Sequence, residues 1–130
     1  MFTTINWLSA AVAALATFVI GGPWYKVLGP RWQREMGTVN AKPGHPARVF
    51  GLSYLFSLVA TATLSALLGP SVGAVHGLIF GANVGLCFVA MSFGINYQFG
   101  NRSFVALLID GGYHTVQFAV FGLVLGAWPK

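Results

Sequence analysis

Residues 75–95, VHGLIFGANVGLCFVAMSFGI, run for 21 positions without one Asp, Glu, Lys or Arg. An α-helix rises about 1.5 Å per residue, so ~20 such residues cross the ~30 Å hydrocarbon core of a bilayer. The run is far longer than a strand, and its glycines recur every fourth residue, the spacing of one helix face. Three other stretches are comparably long and apolar, approximately 5–22, 49–68 and 104–128, the last interrupted by Asp110 alone. Punctuation residues bound them: Pro23 is expected to close the first, Pro46 precedes the second, Gly69-Pro70 ends it, and Asn101-Arg102-Ser103 opens the fourth. The expected fold is all-α: a four-helix transmembrane bundle in a single domain, residues 1–130.

Composition agrees. Of 130 residues 56% are hydrophobic and 7% charged, against roughly 25% charged in soluble domains. The apolar surface must therefore meet lipid. The net charge of +5 does not indicate nucleic acid as a partner, because the basic residues lie mostly in one short loop between apolar segments, where anionic lipid is the simpler counterpart. Cys87 is the single cysteine, so no disulfide forms within the chain. The amino end, Met1 to Trp7, lacks the Lys or Arg of a signal peptide's first region; the first helix is expected to be retained.

Orientation follows from the basic residues. Lys26, Arg31, Arg34, Lys42 and Arg48 flank or occupy the first loop and Arg102 the third, whereas Lys130 alone lies at the other end. Basic loops stay inside, so both termini are expected outside the cytoplasmic (inner) membrane of a bacterium. Trp24, Tyr25 and Tyr97 would mark one interface, Trp7 and Trp128 the other. Residues 29–37 of the first loop read as a short interfacial helix, with Pro30 at its first position and Gly37 at its stop. Arg31, Arg34, Trp32 and Met36 would lie on an anionic leaflet, or form a docking surface for a partner.

Small residues recur at helical spacing on three helices: Gly73, Gly77, Gly81 and Gly85 on the third, Ser53, Ser57, Thr61 and Ser65 on the second, Ser9, Ala13, Thr17 and Gly21 on the first. Lipid offers no hydrophobic drive for helix association, so close backbone approach along such ridges supplies it. They imply a tightly packed bundle rather than a glycine-lined pore, and the short loop between the second and third helices suits a hairpin. A faint internal repeat relates Gly22-Pro23-Trp24-Tyr25 to Gly94-Ile95-Asn96-Tyr97.

Asp110 is the one acid inside a span. By helical rise it lies about 10 Å, and His114 about 16 Å, from the start of the fourth helix. Asp110, His114 and Gln117 share a face, with Gly122 and Gly126 beyond. A charge at such depth costs at least ~2.5–3.5 kcal/mol unless it faces the bundle or water. Two readings stand: a proton relay or cation site formed by Asp110 and His114 with Gln117 or Asn83, or a neutral or His-paired Asp110 that pins the fourth helix. His76 and His114 differ in depth, which disfavours haem. The residues form no hydrolase triad, phosphate loop or Cys/His metal set, so no catalytic residue, metal or cofactor is expected.

Asn6-Trp7-Leu8, Gly22-Pro23-Trp24-Tyr25 with Trp32 and Met36-Gly37, Asn96-Tyr97-Gln98-Phe99 with Arg102-Ser103, Ile109-Asp110-Gly111-Gly112-Tyr113-His114, and Gly126-Ala127-Trp128 together resemble the bacterial membrane family catalogued as domain of unknown function 1761. The resemblance spans essentially the whole chain and implies fold and membrane location, with no activity attached; Gly100-Asn101 departs from the acidic residue of that family before the Arg. The expected function is a small oligomeric transporter-like or proton/cation-handling protein centred on Asp110 and His114, and not an enzyme. The alternative is a non-catalytic accessory or structural subunit. The expected partners are membrane lipids and a parallel homo-oligomer or a larger membrane complex.

Overall fold

The computed structural model describes residues 2–129; Lys130, which enters the charge count above, lies outside the described residues. Every long element is helical, and four helical spans are long and apolar enough to cross a membrane: Trp7–Met36, Pro46–Leu68, Ala74–Phe99 and Phe104–Ala127. A short 3-10 turn, Phe2–Thr4, precedes them. The first span consists of α1 (Trp7–Ala14) and α2 (Ala16–Met36), separated at Leu15, whose N–H reaches back to Val12 O. The second is α3 (Pro46–Leu68). The third joins α4 (Ala74–Val84), a π-helical turn (Gly85–Ala90) and α5 (Met91–Phe99); α6 (Phe104–Ala127) is the fourth.

Two expectations about the first loop need correction. Pro23 does not end the first helix, and 29–37 is not a separate interfacial helix: both Pro23 and Pro30 lie inside α2. Proline costs a helix one backbone bond, but in hydrocarbon a break would leave several backbone groups without partners. The helix therefore runs through Pro23; its charged continuation past Lys26, Arg31 and Arg34 ends at Gly37, whose φ of 70° gives it the left-handed cap. Its last carbonyls gain a cation as well, since Arg102 Nη1 donates to Met36 O at 2.7 Å. That bond ties the two basic loops together. The other boundaries follow local chemistry: Pro46 is at the first turn of α3, Gly69 closes it with φ 74°, and Ser103 Oγ accepts from Ala106 N to cap α6.

The glycine ridge packs against α6, not against α3 as a simple hairpin would have it. A Cβ added to Gly77 would fall 2.0 Å from Gly122 O, to Gly81 2.0 Å from Phe118 O, and to Gly122 1.9 Å from Gly77 O. Gly73 O in turn approaches Gly126. These are backbone-on-backbone contacts that no other residue allows, and they account for Gly122 and Gly126 as packing residues. The serine and threonine ridge of α3 faces the first span. Thr61 Oγ1 donates to Ala10 O at 2.9 Å, Tyr54 Oη to Ala11 O at 3.0 Å, and Ser57 Oγ lies 2.6 Å from Thr17 Oγ1. Ser65 lines a cavity of about 380 Å³ at the end of the bundle that holds Asn6 and Trp128. Between that cavity and the middle of the bundle, Ala16, Leu64 and Phe121 form a fully apolar plug.

The ridge predicts a contrast in stability. Gly81→Ala forces a methyl against Phe118 O and should cost about 1–3 kcal/mol or more. Gly51→Ala has nothing within 4 Å and should leave stability unchanged or slightly raised. Thermal unfolding of both variants in detergent checks this, and equal midpoints would contradict it.

Candidate functional site

Asp110 is buried, with 5% of its surface exposed, yet among the described residues it forms no ion pair. Its carboxylate instead accepts from three aromatic donors. Tyr25 Oη donates to Oδ1 at 2.5 Å, Trp32 Nε1 donates to Oδ2 at 2.9 Å, and Tyr97 Oη also donates to Oδ2. Tyr25 and Trp32 are seven apart on α2 and hence on one face; Tyr97 comes from α5. One carboxylate thus joins the first, third and fourth spans. Trp24 Nε1 reinforces the contact by donating to Ile109 O at 3.0 Å.

Trp32 therefore points into the bundle rather than onto the leaflet, and Trp24, Tyr25 and Tyr97 are interior donors rather than interface markers. The reason is energetic: a buried carboxylate without donors costs far more than three exposed aromatics gain at a headgroup surface. Spacing along α6 pointed to Asp110 but not to these partners, which belong to other helices. Their polar tips were the available signal, since Tyr and Trp seek a hydrogen-bond partner when buried, and each occurs in a block that carries the family resemblance.

Asp110 and His114 lie one turn apart, as the spacing requires, but do not bond to each other. Between them lies an aromatic layer. The Tyr113 ring is 5.2 Å from Tyr25 and 4.8 Å from His114 by centroids, and Phe93 stacks on His114 at 4.9 Å with an interplanar angle of 19°. Tyr113 Oη donates to Thr17 O at 2.8 Å.

Beyond this layer runs a hydrogen-bonded chain with a fixed direction. Gln117 Nε2 donates to Thr17 Oγ1 at 2.8 Å, which leaves Gln117 Oε1 as the acceptor 2.7 Å from His114 Nδ1. His114 Nδ1 thus carries the proton, and in the neutral ring Nε2 is the acceptor. Ser57 Oγ donates to Ser53 O at 2.8 Å, so the Thr17 hydroxyl is the donor in the Thr17–Ser57 bond. The chain crosses from α6 through α2 to α3 and borders a cavity of about 300 Å³ lined by Thr17, Ser57, His114, Gln117, Phe118 and Phe121. Asn83 is not part of it: its Nδ2 donates to Ile79 O at 2.9 Å on the exposed side of α4. No group of three or more His, Cys, Asp or Glu occurs among the described residues.

The cage predicts what loss of one donor does. Tyr97→Phe removes a bond to a buried charged acceptor and should cost about 1.5–3 kcal/mol. Tyr54→Phe, which loses a neutral bond to a backbone carbonyl, should cost about 1 kcal/mol. Unfolding of the two variants in one detergent compares them, and the reverse order would contradict the cage.

Neither a curated protein nor a solved structure matches the chain. The family model described as "Protein of unknown function (DUF1761)" matches residues 8–126, a span that includes every residue of the cage and of the chain from His114 to Ser57. The protein belongs to that uncharacterised family, as a four-helix, multi-pass membrane protein.

Proposed function

We propose that this protein handles protons across the bacterial cytoplasmic membrane as a small, parallel homo-oligomeric, transporter-like assembly without enzymatic activity. The observation that carries the reading is the buried Asp110, held by neutral donors and one helical turn from an imidazole with its acceptor nitrogen left open. Oδ2 accepts two bonds, but Oδ1 accepts only one, from Tyr25. A carboxylate oxygen offers about two acceptor sites, so Oδ1 retains a place for one proton. A metal cation needs several oxygen ligands at once and would have to displace the aromatic donors, so a proton is the favoured cargo.

The cavity beside His114 is walled mainly by apolar side chains such as Phe56, Val89 and Phe118, and the Ala16–Leu64–Phe121 plug separates it from the outer cavity. The arrangement fits a closed state in which the plug must part for protons to pass. Bonds from Trp32 and Tyr25 link the charge state of Asp110 to the position of α2, the element that would respond.

A second reading rests on the completeness of the cage. Three donors and almost no exposure also suit a carboxylate that only clamps three helices, as an accessory subunit would need. Asp110→Asn distinguishes the two. The amide keeps the shape and can still accept from the cage, but holds no exchangeable proton. In liposomes with a pH-sensitive dye, normally folded Asp110→Asn protein should lose the proton flux that the native chain supports. Full flux from the variant, or none from the native chain, would overturn proton handling and favour the clamp.

Orientation is proposed on the same footing. Lys26, Arg31, Arg34, Lys42, Arg48 and Arg102 occupy one end of the bundle, and that end should be cytoplasmic. Asn40→Cys on a Cys87→Ser background should react with an impermeant maleimide only after the cells are permeabilised. Reaction in intact cells would refute the orientation.

A further inference from the structure

The outward side of the third span carries polar side chains where lipid should be. Asn83, Cys87, Ser92 and Asn96 are all exposed, and their spacing is four, five and four. In an uninterrupted α-helix the five-residue step would turn Ser92 about 140° away from Cys87. That step falls in the π-helical turn Gly85–Ala90, where the wider winding takes back much of the rotation. The buried side of the helix makes the same step, from Gly85 to Ala90, both in contact with α6. One π turn therefore serves two faces: it keeps the packed ridge on α6 and keeps the polar residues together on the opposite side.

Those polar groups are poorly provided for within one chain. Asn83 Nδ2 reaches Ile79 O, but among the described residues neither the Ser92 hydroxyl nor the Asn96 amide has a partner. The Ala74–Phe99 span places Asn83 and Cys87 near its middle, where water is absent and the single bond from Asn83 Nδ2 leaves the rest of its amide to be satisfied from outside the chain. The exposed side of α3, by contrast, presents Leu52, Leu55, Phe56 and Val59, which lipid accommodates without loss.

We infer that the polar face of the third span, from Asn83 to Asn96, is the interface between two parallel copies of this chain. The occupant is read from hydrogen-bond complementarity. A two-fold axis along the membrane normal sets each residue near its own twin at equal depth. Only groups that both donate and accept can pair with themselves, and amide and hydroxyl do so. The stripe has no Lys, Arg, Asp or Glu to repel its copy. A recess of about 300 Å³ lined by Phe88, Ser92, Phe93 and Asn96 lies on the same patch as the protruding Phe88, which is 70% exposed. A self-complementary patch needs such a knob beside such a hole. The inference deepens the oligomeric part of the proposed function and is independent of proton handling.

Cys87, the only cysteine, reports on this face directly. The full chain in native membranes is oxidised with copper–phenanthroline and run without reductant, beside Cys87→Ser/Val59→Cys, which moves the thiol to α3. Photobleaching steps of labelled protein in liposomes count copies. The expected result is two copies, a reducible dimer from Cys87 and none from the α3 position. Asn83→Leu with Asn96→Leu, both at exposed sites, should weaken the dimer roughly tenfold. A dimer cross-linked only through the α3 position, or one indifferent to the double substitution, would overturn this interface and leave the oligomer intact. A single photobleaching step for the native chain would overturn both.

Discussion

A carboxylate buried among helices must find donors, and in this protein the search for them organises one end of the bundle. Asp110 accepts from Tyr25, Trp32 and Tyr97, side chains on two other spans. The consequences reach beyond the bonds themselves. Trp32 can reach Oδ2 only because α2 continues as a helix past Pro23 and Pro30. The unbroken helix then delivers Met36 O to Arg102, which joins the first and third loops. Remove the charge and the reason for that long first helix weakens. The rest of the site is arranged around the same point: Tyr113 and Phe93 form a layer that separates the carboxylate from His114 while keeping them one turn apart.

The opposite end is held by different physics. There the third and fourth spans meet backbone to backbone through Gly73, Gly77, Gly81, Gly122 and Gly126, and the contact area comes from dispersion along a groove that tolerates no side chain. The π-helical turn lies at the junction of the two regimes. It carries the third span from glycine packing to the aromatic layer, so that Phe93 and Tyr97 arrive at His114 and Asp110 with the correct facing. A helix of uniform pitch would satisfy one end at the expense of the other.

Much of this was legible in the sequence, and the limits have physical causes. The spans follow from length and hydropathy alone, and the glycine ridge from period. Asp110, His114 and Gln117 were found because helical spacing brings residues of one helix together. What spacing does not reveal is which helices meet. The ridge could face α3 or α6 with equal local sense, and its partner is α6, where Gly122 and Gly126 open a groove that admits the other backbone. The same limit applies to the aromatic donors: Tyr and Trp suit a headgroup region equally well until a buried acid claims them. Pro23 misled because the rule that proline ends helices belongs to water, where a broken backbone is solvated. Asn83 has the residue type of a polar lining, whereas its position on the helix turns it outward.

Tyr97 is bonded to Asp110 and should stabilise the fold through it. A double-mutant cycle in detergent tests it most directly. Unfolding free energies are measured for the native chain, Tyr97→Phe, Asp110→Leu and the double variant. Tyr97→Phe should be costly in the native chain and nearly without effect once Asp110 is leucine. An equal cost of Tyr97→Phe in both backgrounds would contradict it.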